Sequence, residues 1–337
     1  MMFKHGIAAL LLSALAATAA SAQTLKSVKD RGHLICGVSQ GLPGFSDEGA
    51  KGAWTGLDVD FCRALAAAIF NDASKVQFVP LSAEERFAAL QAKKIDVLSR
   101  NSTWTMGRET ELGLIFAAVN YYDGQGFMVR KAQKIDSALD LAGKTICTKA
   151  GTTSELNLAD YFRNNRLTYK VATFPSAEEA LKAYEGGRCQ ALTSDVSQLY
   201  AQRTKLAAPR DHIILPDIIS KEPLAPVVRQ DDVQWLNVVK WTQFAMVNAD
   251  ELGVGRGNFD EAMKSKKPSV RRLLGLEGDF GKQLGLTDDW AARVVRLVGN
   301  YGEVFERNVG TGSKLGIPRG LNSLWDRGGI QYAPPIR

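Results

Sequence analysis

The sequence predicts an α/β protein of two lobes, each a mostly parallel sheet flanked by helices, with two crossovers between them. Three observations predict it. Short β-rich runs alternate with helical ones over residues 34–98, the alternation restarts at Thr145 and continues to Leu215, and each series is bordered by an extended stretch that opens on Gly or Pro. Connections of this length cross over a sheet, which makes most neighbouring strands parallel. A chain of 337 residues is long enough for two domains whose cores need no staples.

The N-terminus comes first. Lys4 and His5 precede the uncharged run 7–20, and Ala20-Ser21-Ala22 stands before Gln23. A basic start, a short apolar stretch and an A-x-A site mark residues 1–22 as a secretory signal peptide cleaved after Ala22. No other run approaches the ~18 apolar residues of a membrane span, so the mature chain is expected to be soluble outside the cytoplasm.

Residues 34–38 read as the first strand, and Asp58 reads as the cap of a helix with Phe61, Leu65 and Ala68 on one face. Strand 76–80 follows, then a Ser82-capped helix carrying Phe87 and Leu90, then strand 95–98. The second series has strand 145–148, a helix from Ser154 to 164, strand 169–174, helix 177–184, and strands 190–193 and 212–215. The crossovers fall at 124–129, which opens on Gly124, and at 223–228, which opens on Pro223. A long helix over 233–248 returns to the first lobe, and 289–305 reads as one further amphipathic helix. The partition is therefore 23–125 with 228–265 for lobe 1 and 126–227 for lobe 2. Residues 266–337 form a C-terminal extension expected to pack on lobe 1.

Composition narrows the function classes. With 45% apolar, 8% aromatic and 23% charged residues, the chain is neither disordered nor collagen-like. The net charge of +6 invites a nucleic-acid reading, but from Lys264 onward 13 Lys/Arg face 7 Asp/Glu, so that segment holds the whole excess. Its basic residues are interspersed with acids and lack aromatic alternation, which describes a solvated surface.

Enzyme signatures are weak. Gly37-Val38-Ser39-Gln40-Gly41 matches a nucleophile elbow with Asp195 and His212 in hydrolase order, yet the residues after Ser39 have loop chemistry where the elbow needs a helix. His33 and His212 are too few for a zinc site, and no Cys pair has ligand spacing. Gly253-Val254-Gly255-Arg256-Gly257 lacks the preceding strand of a dinucleotide fingerprint. No metal and no cofactor is implied. Asn101-Ser102-Thr103 is formally a glycosylation sequon placed directly after a strand.

Binding chemistry is better supported. Arg108 closes a hydroxyl-rich loop at the C-terminal end of a parallel strand, where open α/β sheets bind ligands and where a guanidinium can grip a carboxylate bidentately. Lys149-Ala150-Gly151-Thr152-Thr153-Ser154-Glu155 joins a strand to a helix start, offering N–H groups and hydroxyls to an anion. Asp195 stands just past strand 190–193, where a carboxylate can hold an ammonium. Arg108, Thr153 and Asp195 together have the inventory of an α-amino-acid receptor.

These residues carry a family resemblance. The chain resembles the polar amino-acid solute-binding proteins of bacterial ABC importers (family 3), most closely the general L-amino-acid-binding type of α-proteobacteria. It does so through Cys36-Gly37-Val38, Gly44-Phe45, Thr55-Gly56-Leu57-Asp58-Val59-Asp60, Arg86-Phe87 to Asp96, Thr103 to Arg108, Gly151 to Glu155 and Ala191 to Asp195. The resemblance implies a periplasmic-binding-protein fold of type II, a periplasmic location, an L-amino-acid ligand, a membrane-embedded ABC permease as partner, a monomer and no catalysis. It implies that Arg108 holds the α-carboxylate with the amide and hydroxyl of Thr153, beside Thr152. The Asn101 carbonyl, Thr103 and Asp195 would hold the α-ammonium, and Ser39 and Leu42 would touch the ligand. Two departures bear on the side-chain pocket: Leu42 stands where an aromatic is common, and Arg100 replaces a small residue before Asn101. The alternatives are a cyclohexadienyl dehydratase on the same fold, for which the sequence marks no acid with a reason for a raised pKa, or a receptor that serves a sensor only.

Export to an oxidising compartment makes disulfides expected, and four Cys allow three pairings. Pairing within lobes leaves the crossovers free to move, which selects Cys36 with Cys62 and Cys147 with Cys189.

Overall fold

A computed structural model describes residues 24–337; the expected signal peptide lies outside the described residues. The chain begins lobe 1 with α1 (Thr24–Arg31), β1 (Leu34–Ser39) and a small ribbon of β2 (Asp47–Glu48) and β3 (Trp54–Thr55). It continues with α2 (Leu57–Phe70), β4 (Val76–Leu81), α3 (Glu85–Gln91), β5 (Val97–Leu98), α4 (Met106–Leu112) and β6 (Leu114–Phe116). After β7 (Tyr121–Asp123) it enters lobe 2: β8 (Gln125–Arg130), β9 (Thr145–Lys149), α5 (Thr153–Asn164), β10 (Lys170–Phe174), α6 (Ala177–Glu185), β11 (Ala191–Asp195), α7 (Val196–Arg203) and β12 (His212–Ile214). Through β13 (Glu222–Leu224) it returns to lobe 1 with β14 (Val227–Arg229) and α8 (Val233–Glu251).

The lobe sheets have the orders β4-β1-β5-β14-β6 and β10-β9-β11-β8-β12. In each, one strand runs against the others: β14 pairs antiparallel with β5 and β6, and β8 pairs antiparallel with β11 and β12. Those two strands are the ones that arrive from the other lobe. This relocates the crossovers, which the sequence placed at 124–129 and 223–228. The segments that pass between lobes are β7 and β13, paired antiparallel as a ribbon, whereas most of each expected crossover is a buried sheet strand. Gln125 pairs with Asp195 in lobe 2 and Val227 with Leu98 in lobe 1, so each lies one residue across the expected boundary.

Three further local expectations differ. Asp58 is not a cap: the cap position of α2 is Gly56, with φ +130° and a would-be Cβ 2.1 Å from the Phe45 carbonyl oxygen, so only glycine fits. Ser154 lies inside α5, whose cap position is Thr152. The single helix over 289–305 is two, α12 (Trp290–Leu297) and α13 (Tyr301–Asn308), after α9 (Phe259–Ala262), α10 (Pro268–Leu273) and α11 (Phe280–Gln283). Gly299 at φ +112° turns the chain, and Asn300 caps α13 in a reciprocal box with Glu303. Ser82 exchanges hydrogen bonds with Glu85 in the turn before α3, whose cap position is Glu84.

The extension buries Trp290, Tyr301 and Phe305 in the core that also contains α2 and α8 of lobe 1. It also grips the first hinge strand: Asn322 accepts from the Tyr122 N–H at 2.7 Å and donates to the Tyr122 carbonyl at 3.0 Å, and Phe305 stacks on Tyr121. Both disulfides lie within lobes, Cys36–Cys62 joining β1 to α2 and Cys147–Cys189 joining β9 to the approach of β11.

Candidate functional site

The C-terminal ends of β5 and β11 and the N-terminal ends of α4 and α5 converge where the lobes face each other. There they line a narrow gap with about 20 Å³ of free space. Lobe 1 contributes Arg86, Arg100, Asn101, Thr103 and Arg108; lobe 2 contributes Lys149, Thr152, Thr153, Asp195 and Gln198. Of the residues singled out from sequence, Arg108, Asp195, Thr103, Thr153, Asn101, Arg100 and Thr152 therefore share one cavity. Ser39 and Leu42 line an adjoining opening, which Lys149 also borders.

Arg108 sits in the first turn of α4, where its own N–H reaches the Thr105 cap. Its guanidinium donates to the Thr103 carbonyl at 2.8 Å and lies 5.3 Å from the Phe87 ring centroid, so the fork is aimed before any ligand arrives. Asn101 is held by a backbone N–H donated to Asp58 at 2.9 Å, at a φ of +35°, and its side-chain oxygen is buried without a partner. Asp58 also accepts from the Ser99 hydroxyl, so the buried carboxylate fastens the loop after β5 to α2.

Glu222 of β13 is a lobe-bridging residue beside the cleft that the sequence reading missed. It accepts from the Thr103 hydroxyl of lobe 1, and from Thr153 at 2.9 Å and Asn157 at 2.6 Å of lobe 2. The Thr103 hydroxyl proton is thereby committed to Glu222. The Thr153 hydroxyl proton is committed to Glu222, which leaves its backbone N–H as the donor for an anion. No local motif could have signalled this, because Glu222 lies 119 residues from Thr103.

The acids of the cleft are electrostatically strained. Burial, then the neighbouring Asp123 and Glu222 charges, pushes the Asp195 carboxyl well above the usual range, with Gln198 and Arg108 pulling it back. Burial likewise pushes Asp58 and Asp123 to about 6. The sequence offered no acid with a reason for a raised pKa, and tertiary burial supplies three.

These shifts set a pH dependence. The folded protein binds protons at Asp58 and Asp123 that the unfolded chain releases near pH 4, so their stabilisation is full below that value and lost as the pH rises through about 6. Each contributes on the order of 1 kcal/mol between pH 7 and pH 5. The ligand-free protein is expected to melt a few degrees higher at pH 5 than at pH 7. Lys149, pushed down to about 7, opposes this only weakly because it is already largely charged below that pH. Differential scanning calorimetry checks this: an equal or lower Tm at pH 5 contradicts the assignment, and Asp58→Asn should flatten the profile.

Among the described residues, no cluster of three or more His, Cys, Asp and Glu is placed to hold a metal, and no helix is long and apolar enough to cross a membrane. His212 has a structural role, with Nδ1 2.6 Å from the Tyr184 hydroxyl.

Comparison with known proteins matches residues 34–254 to the bacterial extracellular solute-binding proteins, family 3. The general L-amino acid-binding periplasmic protein AapJ of Rhizobium johnstonii is 56% identical over 96% of this chain and 96% of its own length. The glutamate/glutamine/aspartate/asparagine-binding protein BztA of Rhodobacter capsulatus is 51% identical over 97% of each. A solved periplasmic binding protein of an ABC transporter from Brucella ovis, with glutathione bound, superposes at a TM-score of 0.92 with 54% identity, covering 93% of this chain and 99% of that one.

Proposed function

Because the chain belongs to the bacterial extracellular solute-binding proteins of family 3, we propose that its cleft is the receptor site of an amino-acid importer. The protein binds free L-α-amino acids between its lobes and delivers them to an ABC permease. The observation that carries this reading is that Arg108 of lobe 1 and Asp195 of lobe 2 line one gap between the lobes, together with Thr103 and Thr153. A carboxylate and an ammonium on one carbon satisfy both poles at once, and few other solutes carry that pair. Glutathione, the ligand of the Brucella relative, itself has a free α-amino-acid head.

The receptor is read as a monomer, exported with cleavage after Ala22, that turns over nothing. A dehydratase needs an acid free to reach the substrate. Asp58 is covered by Ser99 and Asn101, Asp123 by the N–H groups of Gly124 and Ser197, and Asp195 faces the ammonium. Closing two lobes on a ligand at hundredfold excess over Kd stabilises by about 2.7 kcal/mol, a Tm rise of several degrees at roughly 2–4 °C per kcal/mol. A thermal-shift screen of the mature protein against the L-amino acids is expected to show that rise for several of them. Silence with every amino acid, or turnover of arogenate or prephenate, would overturn the reading.

A further inference from the structure

The C-terminal extension reaches the segments that pass between the lobes. In the β7–β13 ribbon Tyr122 stands opposite Pro223, which has no N–H and whose carbonyl accepts from the Trp104 N–H at 2.8 Å. The two therefore exchange no hydrogen bonds, and a residue in such an antiparallel pair points its N–H and C=O to the outer edge of the ribbon. There the Asn322 side-chain amide meets both groups, so that one side chain takes the place of a third strand. The Tyr301 hydroxyl donates to the Asn120 carbonyl at 3.0 Å and Phe305 stacks on Tyr121, so three successive residues are held by the extension. The clamp is itself buttressed. The Arg319 guanidinium lies 5.2 Å from the Tyr301 ring centroid, donates to the Asn322 carbonyl at 3.1 Å and pairs with Asp250 of α8 at 2.9 Å.

Lobe 2 takes hold of the chain immediately afterwards. The Gly124 carbonyl accepts from the Val196 N–H at 2.8 Å. On the other strand, the Ile219 N–H donates to the Gln125 carbonyl at 2.9 Å and the Ser220 hydroxyl accepts from the Gln125 N–H at 3.2 Å. Lobe 1 fixes the far end of that strand, with Pro223 bonded to Trp104 and the Leu224 carbonyl accepting from the Asn120 N–H. Between the two sets of anchors lie Asp123 on β7 and Lys221 and Glu222 on the return, and Asp123 stands opposite Glu222 in the ribbon.

We infer, building on the receptor reading above, that the C-terminal extension is a hinge brace: Asn322 and Tyr301 fix residues 120–122 to lobe 1 and confine closure to one axis through the Asp123–Glu222 pair. Both are positioning residues, which act on ligand binding through the hinge. Without them the first strand would bend over 120–123 instead of at a single residue. Every residue freed in the open protein must be ordered again when the lobes close, which weakens binding.

Hydrogen exchange of the ligand-free mature protein, paired with titration calorimetry on the best ligand of the thermal screen, tests the brace in Asn322→Ala and Tyr301→Phe. The second variant keeps the ring and removes only the hydroxyl, so it serves should the first fail to fold. In Asn322→Ala, exchange over 120–124 is expected to rise at least about tenfold while that of β1 and β9 stays unchanged. Affinity, measured well below each Tm, is expected to fall about fivefold in Asn322→Ala and about threefold in Tyr301→Phe. A merely structural role would lower Tm and leave that affinity unchanged. Unaltered exchange over 120–124, or affinity within twofold of wild type in every variant that folds, overturns the brace and leaves the receptor reading intact. A wild-type protein that binds no amino acid overturns the receptor reading, and the exchange measurement then decides the brace.

Discussion

Arg108→Ala is expected to fold normally and to lose amino-acid binding by roughly 30-fold or more. The substitution leaves an α-carboxylate unpaired in the cleft, which costs about 2–5 kcal/mol. Arg108 holds no buried ion pair, and its one side-chain hydrogen bond is to the Thr103 carbonyl at the cleft, so the fold has little to lose. Asp195→Ala should produce a loss of similar size from the ammonium pole, and there the fold gains by shedding a strained carboxyl. Calorimetry with the best ligand of the thermal screen decides each case: affinity within threefold of wild type would remove that residue from its role.

Removing a disulfide should have the largest effect on stability. Cys36–Cys62 closes a separation of 26 residues and Cys147–Cys189 one of 42. The chain-entropy model assigns roughly 3–4 kcal/mol to loops of this size, so each double Cys→Ala variant should melt roughly 10 °C lower. All four cysteines are fully buried, which also predicts slow reduction of the folded protein. A variant that melts within about 2 °C of wild type would show that the cross-link constrains little.

Much of the fold was legible because its signals are local. The alternation of strand and helix periods marked the main strands and helices of both lobes, though not α1, α4, β6 or β7, and the Ser82–Glu85 pair fell just ahead of a true helix start. Local signals failed where a residue has a distant use. Asp58 has the look of a cap, but its carboxylate is drawn to Ser99 and Asn101, more than 40 residues away. The 289–305 segment keeps a helical period across Gly299, and the break is visible only in the backbone turn and the Asn300 cap.

The crossovers were misplaced for a related reason. Extended, Gly- or Pro-bordered segments look alike whether they pass between lobes or join a sheet, and pairing alone distinguishes β7 and β13 from β8 and β14. Site residues divide the same way. Arg108, Thr153 and Asp195 follow strands, so their place at a sheet edge could be read along the chain.

By itself, the sequence determined two α/β lobes, the cysteine pairs and the strand-end positions of Arg108, Thr153 and Asp195, because each depends on periodicity, on spacing or on what a strand end must face. Only the tertiary structure decided that Glu222 ties both lobes' threonines together, that burial raises the carboxyl pKa of Asp195, Asp123 and Asp58, and that Arg86, Arg100 and Lys149 line one cleft. Those facts concern desolvation and the convergence of charges from distant parts of the chain. Both are properties of a closed volume, and a volume has no representation in residue order.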